Sequence, residues 1–123
     1  MLRRVIFIAA VILLTAGSAS AQTNQIIDST GDGQGNPLNG PQAVALSASG
    51  NIYVMGSFSA NVFEVTTAGE ITEIIDSTGD GVVPLSAPRD VVADGLGNVF
   101  VSGGDAVFEI TPAGQISTII DAS

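Results

Sequence analysis

The chain has 123 residues, 12 acidic against 3 basic side chains, and a formal net charge of -9. That length allows one small domain. The absence of cysteine excludes disulfides and a lipid-anchored cysteine, and the negative charge speaks against nucleic acid and anionic membrane surfaces as partners.

The first residues read as an export leader. "MLRR" supplies two arginines, and "VIFIAAVILLTAG" is an apolar run of 13 residues, short of the roughly 20 that a membrane span needs. Ala19 and Ala21 then stand in A-x-A spacing, so cleavage is expected after Ala21 and the product is expected to be secreted or periplasmic. Loss of residues 1–21 leaves Arg89 as the sole basic side chain against all 12 carboxylates. A cation or a basic partner is the electrostatic complement of such a surface.

From residue 25 onward one unit is written twice. "IIDSTGDG" stands at 26–33 and again at 74–81, and a third "IID" follows at 119–121, so Asp28, Asp76 and Asp121 are 48 and 45 residues apart. Such a period belongs to propeller blades or solenoid repeats. The segment "QIID" at 25–28 reads as an extra last strand. In chain order the first unit then holds "AVAL", "NIYVM", "VFEVT" and "EITEII", and the second "DVVA", "NVFVS", "VFEIT" and "QISTII". These runs are rich in Val, Ile, Phe and Thr and too short for helices, so they predict strands. Between them the pairs Gly50-Asn51 and Gly97-Asn98 predict tight hairpin turns. The expected fold is all-β: two four-stranded antiparallel β-propeller blades, about 43–76 and about 90–121, after the signal peptide.

The succession "P-x-x-V-x-x-x-x-x-G-N-[IV]-[YF]-V-x-G", followed by "[VF]-F-E-[IV]-T-x-x-G-x-I", resembles the NHL-type β-propeller repeat family, including its secreted bacterial members, over nearly all of residues 25–121. The resemblance implies that the first strand of each blade, at 43–47 and 90–94, lines a central channel. It also implies that the loops at 28–42, 56–61, 76–90 and 103–106 share the face that carries the site. Members of the family close with about six blades, and two leave apolar faces bare. Three readings follow: a truncated product, a homotrimer of two-blade chains, or an open pair of blades.

Candidate functional residues come from two sources. Asp28, Thr30 and Asp32 with Gly33, and Asp76, Thr78 and Asp80 with Gly81, place oxygens at positions 1, 3 and 5 and Gly at 6, the first half of an EF-hand-like calcium loop. The acid at position 12 is missing, where Asn39 and Ala87 stand, so the alternative is a glycine-closed turn. Positions that break the repeat supply the ligand candidates: Gln42, Phe58, Asn61, Arg89, Asp90 and Asp105. Glu64 and Glu109 are expected to face solvent. With no histidine or cysteine in the chain, Ser–His or Cys–His catalysis has no base. Propeller lactonases resembling gluconolactonase hold a divalent cation with Glu, Asp and Asn around the channel, and Asp90 and Asn61 imitate only part of that set. The expectation is an exported, non-catalytic binding scaffold for a protein or a surface polymer or glycan. The alternatives are a lectin-like homotrimer and a fragment of a metal-dependent propeller hydrolase or lyase.

Overall fold

The computed structural model describes residues 21–123; the leader expected over residues 1–21 lies outside these except for Ala21. Eight strands follow one another: β1 Pro41–Leu46, β2 Ile52–Gly56, β3 Asn61–Val65, β4 Ile71–Ile75, β5 Pro88–Ala93, β6 Val99–Gly103, β7 Ala106–Ile110 and β8 Ile116–Ile120. They form two four-stranded antiparallel meanders, β1-β2-β3-β4 and β5-β6-β7-β8. Each of the eight runs predicted within the two units carries a strand. The inner strands start earlier than expected, at Pro41 and Pro88, which pair with Gly56 and Gly103. Proline is tolerated at the first residue of a strand because the ladder there needs no donor from it.

The extra strand expected at 25–28 is not formed. A ladder needs a partner, and the sheet whose outer strand this would be has no other member among the described residues. Ile27 instead lays its side chain against Leu38, Val54 and Phe63 on the open face of the first sheet.

Turn chemistry fixes the meanders. Gly50 and Gly97 adopt φ of 94° and 91°, which only glycine adopts freely. The flanking bonds Ser47 N to Asn51 O (2.9 Å) and Asp94 N to Asn98 O (3.0 Å) close the two hairpins. Glu64 departs from its expected solvent role: it is half-buried and accepts a 2.7 Å bond from Asn51 Nδ2.

The two sheets pack face to face through one continuous core. Tyr53, Met55, Val62 and Ile75 of the first meet Val91, Val101 and Phe108 of the second. Phe63 and Phe108 are fully buried, each contributing roughly 1.5–3 kcal/mol of burial. The repeat makes the remaining surfaces informative. Val91 is 3% exposed because the first sheet covers it, whereas Val44, its counterpart one unit earlier, is 65% exposed. On the far side of the second sheet, Phe100 is only half-buried, although its counterpart Tyr53 is buried.

Candidate binding cleft

The loops following β2, β4 and β6 lie at one end of the sheets, together with the stretch that leads into β1. The hydroxyl and amide of Ser57 both donate to Gly40 O (3.1 and 2.9 Å), and Phe58 N donates to Asn39 O at 3.1 Å. Gly40 has φ of 63°, and a Cβ there would come within 2.6 Å of the Phe58 ring. Glycine at this position is what lets the ring lie on the loop. In the second unit Ala87 stands in the place of Gly40, and a Cβ on Gly104, which stands in the place of Ser57, would meet Ser86 Oγ at 2.6 Å.

Two bulges aim side chains at this end. The ladder between β1 and β2 skips from Pro41 to Ala43, leaving Gln42 as the extra residue. The ladder between β5 and β6 skips from Pro88 to Asp90, leaving Arg89 in the same position one unit later. A bulge bends its strand and re-aims the added side chain. The result is a cleft of about 240 Å³ across the junction of the sheets, lined by Gln42, Ser57, Phe58, Ala87, Pro88 and Arg89. Phe58 is 83% exposed. Ala60 and Ala87, in the two loops that flank the cleft, hold φ of 54° and 43°, a conformation that costs a non-glycine residue about 1–3 kcal/mol.

Three of the six expected ligand residues thus share one cleft, and three do not. Asn61 is buried, 2% exposed. Its Nδ2 donates to Glu73 Oε2 (2.7 Å) and to Pro37 O (3.1 Å), and its Oδ1 accepts from Ser59 Oγ (2.6 Å). That amide is a strut between loops, not a group offered to a ligand. Asp90 turns its carboxylate back to accept the amide of Val91 at 2.9 Å. Asp105 borders a separate hollow beside Val83, Ser86 and Asp121. Sequence reasoning missed Ser57, Ala87 and Pro88. The break of the repeat between "GSFSAN" and "GGDA" carried a signal for Ser57, and the alignment of Ala87-Pro88 with Gly40-Pro41 carried one for the left-handed backbone at Ala87.

The twin acidic hexapeptides act as turns. Asp28 Oδ1 accepts from Thr30 N (2.8 Å) and Thr30 Oγ1 (2.6 Å), and Asp76 does the same with Thr78 at the same two distances. Gly31 and Gly79, with φ of 65° and 66°, lie so close to the carbonyls of Asn36 and Val83 that no side chain fits. Asp80 bonds the amides of Val82 and Val83 and both the amide and hydroxyl of Thr118. These donors, Val83 first, pull its carboxyl down to about 2. Asp32 bonds Asn36 and Gln34 instead, because Glu73 stands where Thr118 stands in the second unit. Glu73 is raised above the ordinary carboxyl range, first by desolvation and then by Asp76 and Asp32, with the Asn61 bond opposing. Among the described residues no group of three or more acidic side chains is disposed to hold a metal ion.

A larger wedge, about 660 Å³, opens at the opposite end of the sheets near Tyr53, Glu64 and Asp94. Its polar groups are committed to one another: Asn51 to Glu64, and Asp94 to the amides of Leu96 and Asn98 and to Asn98 Nδ2. The smaller cleft is the better candidate because its aromatic and its cation are exposed.

No known family profile matches the chain, and no curated protein matches it. Solved structures do. A streptogramin B lyase aligns at TM-score 0.58 and 15% identity, over 71% of this chain and 28% of that one. Virginiamycin B lyase from Staphylococcus aureus aligns at TM-score 0.56 and 18% identity, over 69% and 28%. The chain therefore spans about 28% of each lyase. The likeness shows a β-propeller fold, as the repeat predicted.

Proposed function

We propose that this chain is an exported, non-catalytic β-propeller scaffold that binds a protein or a surface polymer or glycan through the cleft between its two blades. One observation carries the reading: the paired bulges bring Gln42 and Arg89 to the same cleft as the exposed ring of Phe58. An exposed aromatic next to an arginine is the composition of binding hot spots. Arg89 offers planar donors to a carbonyl or carboxylate, while the acidic remainder repels polyanions. The NHL-type nature of the blades rests on the repeat pattern, and export rests on the leader at 1–21.

The test is a binding screen of the purified chain against a glycan panel, extracted surface polymer and exported proteins of the source cell. Phe58→Ala is expected to weaken a true interaction about thirtyfold or more, the size of a hot-spot loss. Arg89→Gln is expected to weaken it less. Binding that both variants leave unchanged would refute the cleft.

A second reading has the lyase likeness behind it: two blades of a longer, metal-dependent propeller hydrolase or lyase. In that reading the catalytic groups lie outside these 123 residues, which contain no histidine or cysteine.

A further inference from the structure

Each chain carries both halves of an interface that it displays internally. Where the blades meet, the exit face of the first (Tyr53, Val62, Ile75) covers the entry face of the second (Val91, Val99, Val101). The repeat reproduces both faces at the outside of the pair. The second blade's exit face holds Phe100, Val107 and Ile120 in the places of Tyr53, Val62 and Ile75. Ile75 is 2% exposed, yet Ile120 is 61% exposed. The first blade's entry face holds Val44 and Ile52 in the places of Val91 and Val99. We propose that a second copy of this chain docks head to tail, its second blade's exit face on the first blade's entry face. Three copies then give six blades, within the roughly four to eight of closed propellers.

The occupant follows from the internal junction, which shows what such a face fits. The contact is heterologous, with a different surface on each side, so it can close into a ring. Ile26-Ile27-Asp28 repeats Ile119-Ile120-Asp121. Ile27 therefore sits where the incoming copy's Ile120 would go, and it makes no ladder that would resist displacement. Docking would also form a second kind of cleft, joining Arg89 and Asp105 to Gln42 of the second copy. The proposal does not depend on what the first cleft binds.

Sedimentation velocity of the full-length gene product, over a range of concentrations, tests it. The expected result is a three-chain complex. Val44→Glu and Val92→Glu alter opposite faces at positions 65% and 52% exposed in the single chain, and a cooperative melt checks that each still folds. Each variant alone is expected to be monomeric. An equal mixture is expected to give a two-chain complex and nothing larger, because only one junction per pair stays intact. A wild-type chain that is monomeric at every concentration would overturn the proposal, and its bare faces would then belong to blades of a longer chain. A two-chain complex that either variant leaves intact would also overturn it, since that contact would be symmetric.

Discussion

Replacing Asn61 by alanine, the residue type at its repeat counterpart Ala106, removes a strut whose loss can be followed by pH. The side chain is 2% exposed and makes three bonds, to Glu73, Pro37 and Ser59. The Pro37 carbonyl and the Ser59 hydroxyl lie near the surface and can turn to water. Glu73 is half-buried and loses its side-chain donor. An unpaired buried group costs about 1–3 kcal/mol, more when charged, so a total of about 2–3 kcal/mol at neutral pH is expected. For a domain of this size that is a drop in Tm of about 10–20 °C. Glu73 lies above its ordinary value in the folded state. Such a carboxyl binds its proton more readily folded than unfolded, so it favours the fold as pH falls through that window and penalises it as pH rises. Asn61 opposes the shift by donating to the ionised form. The variant's deficit should therefore be largest near neutrality and shrink below the ordinary glutamate range. Urea denaturation followed by circular dichroism at several pH values measures it, with Glu73→Gln as the background in which the pH dependence should vanish. A deficit that is the same at every pH, or one within about 0.5 kcal/mol of zero, would refute the strut.

Other outcomes follow from the same geometry. Ile75→Ala should cost about 2–5 kcal/mol and Ile120→Ala under about 0.5 kcal/mol in dilute solution, although both end the same "II" run; comparable losses would undo the account of the inter-blade core. Gly79→Ala should be clearly worse than Gly81→Ala, because Gly79 faces the Val83 carbonyl and Gly81 faces open space; equal melting temperatures would show that φ alone matters. Asp80, held at about 2 against an unfolded value of 3.8, stabilises the fold above that unfolded value and loses its contribution as pH falls through the interval. Asp80→Asn should flatten acid unfolding there, and an unchanged acid profile would refute it. Millimolar Ca²⁺ should leave Tm unchanged, and Asp32→Ala with Asp80→Ala should lower Tm equally with and without the ion; a calcium-dependent rise that the double variant abolishes would restore the metal-loop reading.

The architecture was readable because strands, turns and period all repeat, and each copy checked the other. The matched positions of Tyr53, Phe63, Phe100 and Phe108 mark all four as core; three are buried, but Phe100 is half-buried, because no sheet among the described residues covers its face. The cleft was half legible. Breaks in the repeat pointed to Phe58 and Arg89, which are exposed, but equally to Asn61, which is inside. A polar residue that departs from its repeat mate serves a ligand or a buried bond, and only packing separates the two. Asp28 and Asp76 show the same ambiguity, because the oxygens that suit a calcium loop also suit a hydrogen-bonded turn.

The bulges at Gln42 and Arg89 have a consequence for how such a chain diversifies. Each bulged residue stands outside the ladder and after a proline that already marks the strand's start. Register and core therefore place little demand on its identity. One position per blade can change from amide to cation, as it has here, while the β scaffold around it stays fixed. In the proposed binding role, recognition and foldability are written at separate sites, so a library randomised at 42 and 89 should return folded proteins with new binding preferences.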